Sequence, residues 1–303
     1  VVVIAVPWQA TTSYRRGTRD APAKVVEATL QVDLFDRVTG DAWRHGLALG
    51  PDLGVLELDA LAQADALAVI AAGGVHEASL QAAAGRVDAL SEEVNGRVER
   101  ACRALLERGA IPAVLGGDHS CPLGLLRAYE EPFDVLHIDA HADLRPAYEG
   151  FTFSHASIFH NALELPTLGR LVQLGIRDLG EVEAARIRTD RRIHTFFDAD
   201  VAWADRPWRR TCEEAVGLLG RRVHVSIDVD GLDPALCPTT GTPVPGGLDW
   251  PQITTLLRVL ADSGRRIVGF DICETGPGDW DAIVSARLLY RLGCHAAALR
   301  RPG

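Results

Sequence analysis

Seven short runs along this chain read as strands, residues 1–6, 111–115, 134–139, 171–175, 193–197, 223–228 and 267–271, and several of them are nearly continuous in apolar residues. A strand wetted on one face alternates apolar and polar residues. One with few polar positions has to be covered on both faces. Helix-like segments lie between these runs, at 23–31, 79–108, 123–129, 181–188, 212–219, 251–262 and 281–292. Pro251, after Asp249 and Trp250, suits a first helical turn. Strands alternating with helices imply a parallel sheet wrapped by its own crossovers. An open sheet and a closed barrel both satisfy that pattern, so periodicity alone does not choose between them.

With 303 residues, 47% of them hydrophobic, the chain can bury a large core, and disorder is not expected. No internal repeat and no linker rich in Gly, Ser and Pro divides it, so residues 1–303 are expected to form a single domain. The apolar run 66–72 is far short of the ~20 residues that span a bilayer. No basic segment precedes Val1 to Val6, so no signal peptide is expected. The six cysteines (102, 121, 212, 237, 273 and 294) include no C-x-x-C pair. That argues against a disulfide framework and a Cys-based zinc site, and fits a reducing, cytoplasmic location. A net charge of −10 disfavours nucleic acid and anionic membranes as partners and suits a cationic small substrate.

Chemistry concentrates where three of these strands end, the usual place for it in parallel α/β proteins. G-G-D-H-S (116–120) follows the second run, D-A-H-A-D (139–143) the third, and D-V-D-G-L-D-P (228–234) the sixth. If 139–143 is extended, strand alternation points Asp139, His141 and Asp143 the same way, and Asp228 and Asp230 likewise share a side. The four carboxylates of Asp139, Asp143, Asp228 and Asp230 carry the charge that two divalent cations neutralise. Without cations they would repel and take up protons. With His119 and His141 the donor set is oxygen-rich and free of thiolate, which suits Mn²⁺ better than structural zinc. A single D-x-D or lone His is usually a cap or turn residue, and Asp118 and Asp233 read that way, the latter before Pro234. Three such clusters at three strand ends do not.

Together with G-T-P-V-P-G-G-L (241–248), G-F-D-I-C-E (269–274) and the early loop T-T-S-Y-R-R-G-T-R-D-A-P (11–22), these motifs resemble the ureohydrolases, the family of arginase, agmatinase, guanidinobutyrase and formimidoylglutamase. The resemblance runs from about residue 7 to residue 292. It implies a three-layer α/β/α sandwich on a mostly parallel sheet, a pair of Mn²⁺ ions per chain, and a homo-oligomer, usually a trimer or hexamer. By the same resemblance His119, Asp139, Asp143 and Asp228 hold one metal, and Asp139, His141, Asp228 and Asp230 the other, with Asp139 and Asp228 bridging. Two such cations activate a water for attack on a carbon that guanidinium resonance deactivates. Glu274 falls where the family's glutamate pairs with the substrate guanidinium, a planar fork that a carboxylate matches. Thr242 falls beside it. His155 falls where the family's proton-shuttling histidine does. His137, His160, His194 and His224 have no such support and read as structural.

Residues 143–157 look agmatinase-like. Arginases carry Asn in place of Arg145, followed by a Ser/Asn-rich loop that is absent here, and formimidoylglutamases usually lack a His at position 155. The expected reaction is therefore hydrolysis of agmatine to urea and putrescine. Arg145 provides the alternative: facing the pocket it would repel an ammonium and favour 4-guanidinobutyrate, whereas paired with Glu149 or another acid it would not. A non-catalytic family member would have lost ligands, and all six are present. A two-metal phosphatase would leave 241–248 and 271–274 unexplained.

Overall fold

The computed structural model describes residues 1–298. Its eight strands are β1 (Val2–Val6), β2 (Ala48–Leu49), β3 (Pro112–Gly116), β4 (Phe133–Ile138), β5 (Leu168–Ile176), β6 (Ile193–Phe197), β7 (Arg222–Asp228) and β8 (Arg266–Cys273). They form one open sheet in the order β2-β1-β3-β8-β7-β4-β5-β6. Every pairing between these strands is parallel. The sheet is open, which decides the question that periodicity left. All seven expected strands are present, and the two-residue edge strand β2 is too short to leave a pattern.

The helices are α1 (Ala21–Ala28), α2 (Val55–Ala71), α3 (Ala78–Glu107), α4 (Leu123–Arg127), α5 (Ile158–Ala162), α6 (Glu181–Thr189), α7 (Asp198–Trp203), α8 (Trp208–Leu218), α9 (Trp250–Asp262) and α10 (Asp279–Ala298). Strand alternation sorts side chains into two cores. Ile4, Val114 and Val135 pack with α2, α3, α4 and α5 on one face. Val3, Leu115 and Leu136 pack with α1, α8, α9 and α10 on the other. Covering both faces is what makes the strand sequences nearly continuous in apolar residues. Helix α9 starts as its sequence suggests: Asp249 and Gln252 cap each other's backbone N–H groups, and Pro251 sits in the first turn. Helix α2 was not anticipated. Leu56, Leu61 and Leu67 are exposed on it, so no single apolar stripe marks it as amphipathic.

The order places β3, β8, β7 and β4 side by side at the centre. The loops leaving their carboxyl ends therefore meet over the middle of the sheet.

Candidate metal centre

His119 leaves β3; Asp139, His141 and Asp143 leave β4; Asp228 ends β7 and Asp230 follows it; and Glu274 follows β8. The structure brings all of them together. His119 Nδ1 lies 2.9 Å from Asp143 Oδ2, 3.1 Å from Asp139 Oδ2 and 3.4 Å from Asp228 Oδ2. His141 Nδ1 lies 3.1 Å from Asp230 Oδ2 and 3.5 Å from Asp139 Oδ1. Two compact groups with metal-ligand character result, His119–His137–Asp139–Asp143 and Asp139–His141–Asp230. Asp139 belongs to both. Asp228 reaches the first group through His119, while its Oδ1 accepts the Asp230 N–H at 2.8 Å.

The convergence does not come from strand alternation, as the sequence reading supposed. Strand β4 stops at Ile138, and the chain then bends. The Asp139 carboxylate accepts the His141 N–H at 2.6 Å, and Asp143 takes a left-handed backbone, φ 54°. Val229–Gly231 is likewise a 3₁₀ turn capped by Asp228. Glu274, φ 60°, turns abruptly off β8, and its N–H donates to Gly117 O at 2.7 Å. A non-glycine residue in this region costs about 1–3 kcal/mol and persists only where its surroundings hold it.

The donor set fits divalent cations. Asp139, Asp143, Asp228, Asp230 and Glu274 are all buried, and protein atoms alone cannot keep so many carboxylates ionised. Burial and the Asp139 charge push the Asp143 carboxyl up to about 8. Burial, with Asp230 and Asp139 beside it, drives Asp228 well above the ordinary range. Glu274 is driven up in the same way by burial and by Asp118 and Asp230. The imidazoles show the complement. Burial opposes charge on His141, but Asp230 and Asp139 outweigh it and carry the ring up to about 12. The cluster demands positive charge at these nitrogens, and its carboxylates and imidazoles are donors to divalent cations.

A cavity of about 480 Å³ opens onto this cluster. Of the anticipated residues, His141, Asp143, Arg145, His155 and Thr242 line it. His119, Asp139, Asp228, Asp230 and Glu274 lie buried outside that lining. Glu274 Oε1 accepts the His119 N–H at 3.0 Å, and Thr242 Oγ1 donates to Asp230 Oδ2 at 3.0 Å. His155 is held by the early loop: its N–H donates to Thr11 Oγ1 at 3.1 Å, and Thr11 donates through both N–H and Oγ1 to Asp118. Asp118 also takes the N–H and hydroxyl of Ser120, so it organises loops, as its turn-like sequence suggested. Burial, then the charges of His141 and His119, lower His155 to about 4. It is therefore a neutral base near pH 7.

Arg145 pairs with an acid, though not with Glu149. Its Nε lies 3.2 Å from Glu183 Oε2, and its guanidinium stacks 4.8 Å from the Tyr148 ring centroid. Glu183 is buried and also accepts the N–H groups of Leu144 and Gly180. His137, read from sequence as structural, belongs to the site's support. Its Nε2 is 2.8 Å from Asp139 Oδ2, and Gln173 holds its Nδ1 at 3.0 Å. Only its place two residues before Asp139 could have signalled this.

The arginase-family profile matches residues 1–296. The chain belongs to the arginase family. It is a ureohydrolase of the agmatinase-like branch, a hydrolase of C–N bonds in guanidino compounds. An N(1)-aminopropylagmatine ureohydrolase of Synechocystis is 32% identical over 302 residues, covering 96% of this chain and 87% of that protein. A guanidinobutyrase of Pseudomonas aeruginosa is 28% identical, covering 96% and 84%. The crystal structure of the agmatine ureohydrolase of Thermoplasma volcanium superposes with a TM-score of 0.75 at 28% identity, covering 98% of this chain and 89% of that one. None of the described helices of this ureohydrolase is long and apolar enough to cross a membrane.

Proposed function

We propose that residues 1–303 act as one unit that hydrolyses a linear guanidino amine to urea and the free amine, with agmatine the first candidate substrate and putrescine its product. The observation that carries this reading is the pairing of Arg145 with Glu183, which counters the cation that the sequence placed against an ammonium tail; the other arginine of the cavity wall, Arg15, is drawn aside to donate to Pro238 O at 3.1 Å. Two Mn²⁺ ions would be held by His119, Asp139, Asp143 and Asp228 and by Asp139, His141, Asp228 and Asp230. When bound, they supply a strong water-derived nucleophile near neutral pH.

The chain's own residues do the rest. The Glu274 carboxylate, fixed by the His119 N–H, pairs with the substrate guanidinium, and that cation restores its charge. Thr242 spends its proton on Asp230 and keeps lone pairs for a guanidinium N–H. Water adds to the guanidinium carbon and neutral His155 takes up the proton that water gives up; as the bond from that carbon to the alkyl nitrogen breaks, His155 hands that nitrogen the proton, leaving urea and an amine.

Aminopropylagmatine is the second candidate. The exposed carboxylate of Asp178 on the cavity wall is placed to meet a further ammonium. Urea release from agmatine, N(1)-aminopropylagmatine, 4-guanidinobutyrate and arginine with added Mn²⁺ tests the proposal. Agmatine or its aminopropyl derivative should give the highest kcat/KM. Arginine as the best of the four would end it.

A further inference from the structure

Under the metal centre runs a buried polar chain that none of the steps above uses. Its members are Tyr129, which follows α4, His224 and Ser226 on β7, and Asp271 on β8, and all are buried. Sheet register sets Ser226 beside Asp271 and His224 beside Gly269. A Cβ at Gly269 would lie 2.0 Å from the Tyr129 hydroxyl oxygen, so the glycine vacates the space that hydroxyl fills. Such a gap in a central strand has a packing cost, and a close approach is what explains it.

Donor and acceptor roles are dictated from the middle. An ionised Asp271 only accepts, and it faces His224 Nε2 at 2.6 Å and Ser226 Oγ at 2.9 Å. His224 therefore carries its proton on Nε2, and its bare Nδ1 accepts the Tyr129 O–H at 2.9 Å. Ser226 gives its proton to Asp271, so it accepts one from His119 Nε2 at 3.0 Å. His119 Nδ1 is thereby left to face Asp139, Asp143 and Asp228. A neutral imidazole binds a metal through one nitrogen only when its proton sits on the other.

We propose that Tyr129, His224, Asp271 and Ser226 are a positioning relay that fixes the orientation and tautomer of His119 so that Nδ1 faces the cation. The inference rests on the metal-centre reading given above. It separates the two metal positions, because the relay touches His119 and not His141.

Calorimetric titration of metal-free protein with Mn²⁺, together with EPR of the loaded pair, tests it. Wild type should bind two ions. Ser226→Ala and Asp271→Asn should weaken one of them about 10–100-fold, the usual cost of losing an outer partner of a ligand, and leave the other unchanged. Ser226→Thr, which keeps the hydroxyl, should restore the affinity, and Tyr129→Phe, at the far end, should show a smaller loss at the same site. Ser226→Ala removes a single oxygen, so the test survives if Asp271→Asn does not fold. Unchanged affinity in Ser226→Ala, equal weakening of both ions, or failure of Ser226→Thr to restore binding overturns the relay and leaves the metal centre standing. Wild type that binds no pair of divalent ions overturns the metal centre itself, and the relay with it.

Discussion

The two histidines of the centre sit in opposite surroundings. The His119 side chain is 1% exposed, tied at Nε2 through Ser226 into the sheet, with Nδ1 against three carboxylates. His141 is 27% exposed, stands in the cavity wall, and meets Asp230 and Asp139 through Nδ1 alone. One ligand is set by the fold before anything binds; the other borders the space a substrate enters. A parallel sheet produces this division readily. Residues inside strands can reach up from below to hold a side chain at a strand end, whereas a side chain on the following loop faces outward.

The two sides share Asp139, and removing it should have the largest effect. Asp139→Ala should lose both ions by elemental analysis, and urea release should fall to background. Full activity with both ions retained would show that the two positions do not depend on a common carboxylate. His155, on the open side, should matter for turnover and not for loading. His155→Asn should lower kcat by about 10²–10⁴-fold at unchanged metal content, as for a lost acid–base group. An unaltered kcat would make it a bystander in the wall.

Stability should divide the two histidines the other way. In chelator, His119→Ala leaves Ser226 and the facing carboxylates without a buried partner, which costs about 1–3 kcal/mol for each group stranded. His141→Ala strands only Asp230 and Asp139, at a wall that the cavity opens to water, and should cost less, about 1–3 kcal/mol in all. Denaturant titration of the two metal-free variants measures this. Equal destabilisation would mean that the contrast in burial carries no energetic weight.

How much of this the sequence shows depends on what each residue does. Strands β1 and β3 are legible because burial on both faces leaves them almost wholly apolar, the others because apolar β-branched and aromatic residues still dominate short runs, and the site is legible because ligand chemistry allows few residue types at strand ends. His224 and Asp271 are not, since a polar residue within a strand looks the same whether or not it serves a site. Their roles depend on register, which places Ser226 beside Asp271 and an empty Gly269 beside His224. The convergence of Asp139, His141 and Asp143 was legible for the wrong reason: a bend with a left-handed Asp143 replaces the extended segment that alternation suggests. The partner of Arg145 was out of reach as well, because Glu183 lies 38 residues away on α6.

That pair yields the smallest effect and bears most directly on substrate. The Arg145 side chain is 40% exposed, and a pair at that exposure is worth about 1 kcal/mol or less, roughly a fivefold change. Arg145→Ala should therefore move the ratio of kcat/KM for agmatine over 4-guanidinobutyrate by no more than about fivefold, because the positive charge it removes is already countered by Glu183. Glu183→Gln should do the opposite. It keeps one accepting oxygen for the Leu144 or Gly180 N–H, gives up the other acceptor and removes the negative charge, which leaves Arg145 as a net cation on the cavity wall. Agmatine should then become the poorer substrate and the guanidino acid the better one, and adding Arg145→Ala to Glu183→Gln should cancel that change. If Arg145→Ala by itself improves agmatine over the guanidino acid by more than tenfold, Arg145 acts on the substrate as a free cation despite its partner. The guanidino acid would then be the substrate this pocket is built for.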